Sequence, residues 1–536
     1  MGATADFRGQ LTPGAAAASA YLPRMWDPLF LGLDLGTSSL KALLIDGAGR
    51  LVATGTAAYP LATPRAGWSE QHPEDWVQAT GSAVRAALDA AAGSGHPDPA
   101  RRVAAIGFSG QMHGAVLVDR GNVPLRPCIL WNDARSTQEC AELEREIGPE
   151  TVLSRTGNRL LPGFTAPKVR WVQRHEPDIW KSTDCILLPK DYLRLRLGGV
   201  RATDASDASG TLYFDVAQRQ WSAAMLRDLG IDPAQVPGCH ESPDVVDRLS
   251  PHAARRLGLT AGIPLVAGAG DQAAAAIGLG VWEPGAVCAT LGTSGVIFAA
   301  SDSFRASPDG ALHAFCHALP GRWHLMSVML SAGGSLRWFL DTMARDAPQR
   351  AAAAGCSVHE WLDREASRIP PGCEGVTFVP TIAGERCPIP DPSATGSFLG
   401  LTLATTQAHL ARAVLESVAA SMALCLDLIR EGGVQPSSML ATGGGFESAL
   451  WSRMHADAFG IPLQRTPQEE GSARGAALLG GLGTEQLPLS GLQSQAAAAE
   501  PLIPDPEMAL FWDLQRRLAQ KLRQPKSRHG FTISAA

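Results

Sequence analysis

The chain lacks what nucleic acid, a membrane or an oxidising exterior would ask of it. There is no basic excess, since 46 Lys and Arg stand against 52 Asp and Glu for a net charge of −6; no field draws in a polyanion, and nucleic acid is not an expected partner. The ten cysteines contain no CxxC pair and no zinc-type cluster. That excludes a zinc ribbon, argues against a disulfide scaffold, and points to a reduced, cytoplasmic setting. The stretch 263–282 is apolar enough to tempt a membrane reading, but Asp271, Gln272 and several glycines interrupt it. A buried strand, a turn and a helix suit it better, and no membrane partner is expected. Nucleotide motifs of the Walker GxxxxGK[ST] type, or GxGxxG between strand and helix, are missing too, which disfavours those folds. Residues 1–24 are Ala/Gly-rich without a basic start and apolar run, so they read as a disordered extension, with Met25 an equally good start.

What is present is a folded chain of 536 residues with 45% hydrophobic and 18% charged content, long enough that two domains are expected. Two glycine turns in distant parts share their wording. The first is Leu33-Asp34-Leu35-Gly36-Thr37-Ser38-Ser39-Leu40-Lys41 and the second Thr290-Leu291-Gly292-Thr293-Ser294-Gly295-Val296. Glycines between apolar strands let backbone amides approach an anion, and flanking hydroxyls add donors. A pair of such turns implies two related lobes gripping one polyphosphate, and Asp271 beside the second implies phosphate transfer.

Apolar runs over 29–46 and 51–57 predict an antiparallel meander, with a helix from about Pro73, where proline and acids follow His72. The pattern restarts after Gly258, so a domain boundary is expected near 258–262, with the similar openings hinting at a duplication. Apolar residues at three-to-four spacing predict a helix over 407–430, and another follows Gly443-Gly444-Gly445 from about Ser448. Residues 484–504 read as linker, Asp505-Pro506-Glu507 as the start of a last amphipathic helix to about Leu522, and the rest as a mobile tail.

Asp34 closes a buried strand directly before a glycine turn. It reads either as a magnesium-directed carboxylate near the transferred phosphate or as an Asp bonding its own turn; Gly36, Thr37, Ser38 and Lys41 favour the first. Asp271 follows Gly268-Ala269-Gly270 at a strand-to-helix junction. The helix dipole is expected to keep it ionised, and it can accept a hydroxyl proton as the bond to phosphorus forms, or simply cap the helix. Met112 and His113 sit in a loop bracketed by Gly110 and Gly114, which suits contact with a small polar ligand. The cluster Trp131-Asn132-Asp133-Ala134-Arg135 reads equally as a sugar-pocket wall or as an ion pair under a surface Trp.

These residues resemble the FGGY carbohydrate kinases over about 29–525. One family signature is similar to Gly163-Phe164-Thr165-Ala166-Pro167-Lys168-Val169-Arg170-Trp171-Val172, the other to the run from Gly396 through His409 to Glu416. The segments SGQMHGAVLVD (109–119), ILWNDARSTQEC (129–140), LPKDYLRLRLGG (188–199) and FCHALPGRWHLMSVML (315–330) resemble the branch that phosphorylates D-xylulose. The resemblance implies an α/β, two-lobed actin-like ATPase (ribonuclease H-like) fold with a cleft between lobes. The lobes would be 29–260 on the sugar side and 261–484 on the nucleotide side, between an extension over 1–28 and a linker, helix and tail over 485–536. It further implies ATP-dependent phosphorylation of the sugar's 5-hydroxyl with Mg²⁺. Met112, His113, Trp131, Asp271 and Gln272 would touch the sugar, with Asp271 the proton acceptor and Asp34 at the metal–phosphate centre. Thr37, Ser38, Gly292, Thr293, Gly444, Gly445 and Ser448 would serve the nucleotide. Gln272 stands where some members of that branch carry Asn, one methylene shorter. A family kinase for another ketose, polyol or sugar acid is the alternative, and the Met112-His113 pair argues against glycerol. The implied partners are a small sugar and ATP, with a homodimer left open.

Overall fold

The computed structural model describes residues 27–391, 393–466, 471–489 and 500–523. Most of the expected N-terminal extension, the middle of the 484–504 linker and the tail lie outside the described residues.

Strand β1 (Leu29–Leu35) is a continuous apolar run because it is central, paired antiparallel to β2 (Ser39–Ile45) and parallel to β4 (Val103–Gly110). All of it is buried except Asp34, which is half-buried at its C-terminal end. β3 (Leu51–Ala58) completes the meander beside β2. Helix α1 (Pro73–Gly93) covers this sheet, starting where proline and two acids predict it, with His72 as N-cap. On the far side of β4 come β6 (Pro264–Val266), parallel to it, and then β5 (Val245–Arg248), antiparallel to β6. The short β7 (Ala269–Gly270) extends the pairing with β4 and leads into helix α3 (Asp271–Leu279).

The second sheet repeats the plan. β8 (Val287–Leu291) and β9 (Gly295–Ser301) form the hairpin around the second glycine turn. β11 (Trp323–Met329) pairs antiparallel with β9, and β10 (His313–Cys316) with β11. On the other side β12 (Met439–Thr442) and β13 (Leu463–Arg465) add in parallel. The orders 3-2-1-4-6 and 11-9-8-12-13 match strand for strand and sense for sense, a repeated plan in keeping with the two similar openings. Helix α4 (Gly333–Met343) follows β11. The long helix α5 (Gln407–Glu431) lies buried against the second sheet, and α6 (Ala449–Phe459) and the final α8 (Ala509–Arg523) pack on it. The fold is thus the two-lobed α/β arrangement expected.

The change from one sheet to the other comes later than 258–262, because β6 and β7 still belong to the first. More telling is helix α7 (Gly471–Gly483), which lies on β1 and β4 of the first sheet and against α3. Gly32 and Gly107 are register partners. A Cβ on Gly32 would stand 2.0 Å from the Ala473 carbonyl oxygen, and one on Gly107 1.8 Å from that of Ala476. At these two positions α7 therefore rests directly on backbone, which only glycine permits. Among the described residues no helix is long and apolar enough to cross a membrane.

Candidate functional site

Two adjoining cavities open between and beside the sheets. The smaller, about 220 Å³, has walls from both lobes: Met112, His113, Trp131, Asp271 and Gln272 from the first, Ser294, Val296 and Arg386 from the second. All five residues expected at the sugar are therefore together.

Asp271 sits in the first turn of α3 with Gly270 as N-cap, so the simple capping role belongs to its neighbour. Its carboxylate accepts the Gln272 N–H at 2.7 Å. Burial pushes the carboxyl up to about 7 and the charge of Asp34 adds to this, against the Gln272 hydrogen bonds. The helix dipole was expected to keep it ionised; desolvation and a like charge outweigh the end of a nine-residue helix. Asp34 is thus near enough for its charge to act on Asp271. Asp34 also raises the phenol of Tyr59, after burial, and the Tyr59 hydroxyl donates to the Gly36 carbonyl of the first turn.

The junction ahead of Asp271 is fixed from below by charges with no exposure. Lys190 Nζ lies 2.6 Å from Asp191 and 2.8 Å from Asp204. Asp204 accepts from the Ser206 hydroxyl, and Ser206 Oγ accepts the Gly270 N–H at 3.1 Å. Two residues beyond the short helix α2 (Ala205–Ala208), which carries Ser206, the Gly210 carbonyl accepts from His113 Nδ1 at 2.8 Å. That bond sets the tautomer, since Nδ1 must carry the proton and leave Nε2 an acceptor. Burial, with Lys168 and Arg386 nearby, lowers the imidazole to about 3, so it stays neutral. His113 has φ 68°, a left-handed conformation held by Lys168, whose Nζ donates to the His113 and Gly163 carbonyls at 2.8 and 2.7 Å. The Gly163–Val172 signature is thus a support for the His113 loop, and Phe164 packs its ring 4.3 Å from the imidazole.

The cluster at 131–135 divides between an ion pair and a cavity wall. Asp133 and Arg135 pair at 2.8 Å, and the Arg135 guanidinium lies 3.7 Å over Trp68. Trp131, 40% exposed, instead lines the cavity and donates its indole N–H to Thr37 Oγ1 at 3.0 Å.

The larger cavity, about 670 Å³, belongs to the second lobe. Gly292, Thr293, Gly444 and Gly445 line it as expected. A Cβ on Gly444 would meet nothing within 4 Å, so this turn leaves open space above its backbone. Thr37, Ser38 and Ser448 do not line this cavity. Thr37 and Ser38 stand on the first lobe, where the Thr37 hydroxyl serves Trp131. The Ser448 hydroxyl accepts the Trp451 N–H at 2.9 Å as the cap of α6 and bonds Asp363 at 2.8 Å. A serine before a helix is first of all an N-cap, which corrects its assignment to the nucleotide.

Sequence reading missed the other wall. The Ala332, Gly333 and Gly334 amides donate to the Gly292 and Thr293 carbonyls at 2.8–2.9 Å, which docks the start of α4 on the second turn. Leu336, Leu340, Pro348 and Val358 then supply an apolar lining, with Arg337 and Arg345. A Gly-Gly pair between a strand and an amphipathic helix was the available signal. Gly292 and Thr293 line the larger cavity while Ser294, the next residue, lines the smaller. One turn thus walls both.

Residues 29–278 match the model of the FGGY family of carbohydrate kinases, N-terminal domain, and residues 287–484 that of its C-terminal domain. The chain is 42% identical over 498 residues to a xylulose kinase of Escherichia coli (strain K12), covering 92% of this chain and 99% of that one. It is also 42% identical to a xylulose kinase of Klebsiella pneumoniae, with 84% and 89% covered. Among solved structures, a xyloylose kinase from Brucella ovis superposes with a TM-score of 0.85 at 38% identity, covering 94% of this chain and 99% of that one.

Proposed function

The chain belongs to the FGGY family of carbohydrate kinases, and from that membership we propose that it transfers the γ-phosphoryl group of ATP to the 5-hydroxyl of D-xylulose, giving D-xylulose 5-phosphate. The observation that carries this reading is the turn at 292–294, which walls both cavities. A nucleotide whose base lies along the apolar wall of α4 and whose phosphates reach the Gly292–Thr293 backbone ends beside a sugar held by His113, Gln272 and Trp131. The first lobe is then the sugar side and the second the nucleotide side. Xylulose kinases at 42% identity over most of their length support the choice of sugar.

Asp271 acts as the general base. As the hydroxyl oxygen forms its bond to the γ-phosphorus, the carboxylate takes the hydroxyl proton and the bond to ADP breaks. Phosphoryl transfer asks mainly for alignment and charge stabilisation. His113 supplies that alignment as a fixed, neutral acceptor for a sugar hydroxyl, and the Gln272 amide adds a donor and an acceptor. Lobe closure excludes water that would otherwise take the phosphoryl group.

The donor set suits Mg²⁺ arriving with the nucleotide. Among the described residues no group of three or more His, Cys, Asp or Glu side chains is placed to hold a metal, whereas Asp34 and Asp271 offer two neighbouring carboxylates, and magnesium commonly takes one or two plus phosphates and water. Asp34 would hold it, directly or through water; the ion supplies neutralisation of β- and γ-phosphate charge. The ten cysteines are all unpaired, which supports a cytoplasmic site of action.

The test is ADP release by the purified protein across D-xylulose, L-xylulose, D-ribulose, glycerol and gluconate. D-xylulose should give the highest kcat/KM. A higher value for any other member overturns the substrate assignment while leaving the family intact.

A further inference from the structure

Arg386 was not singled out in the sequence, yet it is the one charged side chain that the second lobe contributes to the smaller cavity. Its backbone is tied down on every side. The Arg386 N–H donates to the Glu385 carboxylate at 3.0 Å, and that carboxylate also accepts the Leu330 N–H at 3.2 Å. The Cys387 N–H donates to the Val328 carbonyl at 3.1 Å, and Val328 itself lines the cavity. The guanidinium, by contrast, makes no hydrogen bond or ion pair with any described residue. Other well-buried arginines here are matched: Arg135 with Asp133 and Glu70, Arg412 with Glu416, Arg219 with Glu241.

A guanidinium presents five donors and no acceptor. Half-buried in a cavity and left unmatched, it is costly unless the ligand supplies acceptors. The imidazoles it acts on, His113 and His313, are both neutral and offer it no countercharge; the adjacent Glu385 attracts it only through space, its carboxylate being taken up by the Arg386 and Leu330 amides. A polyhydroxylated sugar carries acceptor oxygens along its whole length.

We propose that Arg386 is a substrate-contacting, specificity-determining residue that donates hydrogen bonds to sugar oxygens from the second lobe. The inference rests on the sugar-kinase reading above. Its consequence is that the sugar is held by both lobes, by His113 and Gln272 on one and Arg386 on the other, so that sugar occupancy itself favours the closed cleft.

The test uses Arg386→Met, which keeps length and removes the donors, and Arg386→Lys, which keeps charge and loses the planar fork. KM and kcat are measured with whichever sugar of the panel the wild type uses best, so a wrong substrate assignment shows in the wild type and does not blur the variants. Arg386→Met should raise the sugar KM roughly 10- to 100-fold, the range for a lost charge-assisted hydrogen bond. The KM for ATP and ATP hydrolysis without sugar should stay within about twofold, which a merely structural role would not preserve. Arg386→Lys should recover part of the loss. Sugar titrated against the nucleotide-free protein by calorimetry should show the same weakening. A sugar KM within about twofold of wild type in Arg386→Met overturns the proposal. If that variant fails to fold, an unchanged sugar KM in Arg386→Lys does so instead.

Discussion

A base whose carboxyl is held up at about 7 must leave its mark on the pH dependence of the reaction. Only the carboxylate form of Asp271 can take the hydroxyl proton. With a midpoint near 7, about 90% of the molecules carry it at pH 8, about 10% at pH 6 and about 1% at pH 5. The kcat/KM for the sugar, measured by coupled ADP release with ATP saturating and Mg²⁺ in excess, should fall about tenfold from pH 8 to pH 6 and tenfold again to pH 5. An aspartate at its ordinary value of 3.8 would give a flat line over that range. Stability runs the other way. A carboxyl raised in the folded state contributes stability that is fully present below the unfolded value and lost as pH rises through about 7. Asp271→Asn should therefore melt at a higher temperature than the wild type at pH 8, with the gap closing towards pH 4. Asp34→Asn removes the second cause and leaves burial in place, so the midpoint of Asp271, followed by carboxyl NMR, should move to lower pH without reaching 3.8. A profile flat from pH 5 to pH 8 would refute the role of Asp271 or its desolvated setting. A midpoint unmoved in Asp34→Asn would refute the coupling.

Asp271→Asn should bind the sugar nearly as wild type but lose roughly 10²- to 10⁴-fold in kcat, read by calorimetric titration beside steady-state rates. Ser448→Ala should cost about 1 kcal/mol in urea unfolding, the worth of an N-cap, and leave the KM for ATP unchanged; a large rise in that KM would restore Ser448 to the nucleotide site. Lys190→Met takes the cation from Asp204 and Asp207 and leaves Asp191 only Arg194 at 3.7 Å, all at zero exposure, and should destabilise by about 3–5 kcal/mol, seen in the same unfolding experiment. Gly107→Ala drives a methyl into the Ala476 carbonyl, and about 1–3 kcal/mol or more of overpacking strain should appear as a lowered melting temperature.

Much of this was legible because it is local. The strand–glycine–strand hairpins, the helix after Pro73, the long helix with its apolar spacing and the position of Asp271 each depend on a short stretch of chain. What escaped depends on distant partners. Whether Asp271 is ionised turns first on its burial and then on the charge of Asp34, far away in sequence. Thr37 was assigned to the nucleotide, yet its hydroxyl is held by Trp131, a pairing no spacing rule foretells. Arg386 carries no motif, and only the closing of two lobes on one cavity makes it conspicuous. The wall at 333–348 was a signal present but unread, since Gly333-Gly334 follows the same rule that drew attention to Gly443-Gly445. The expected boundary at 258–262 and the change of sheet differ for a related reason: the pattern does restart there, but β6 and β7 pair with β4 of the first sheet.

The bare-backbone seat of α7 on Gly32 and Gly107 bears on how the molecule is made. Residues 471–483 leave the ribosome long after the strands they cover, so the N-terminal sheet waits with one side open while most of the second lobe is still being translated. Cutting the gene at the visible border between lobes would strand that helix with the wrong half. Neither fragment should fold by itself, and mixing the two should restore what each lacks.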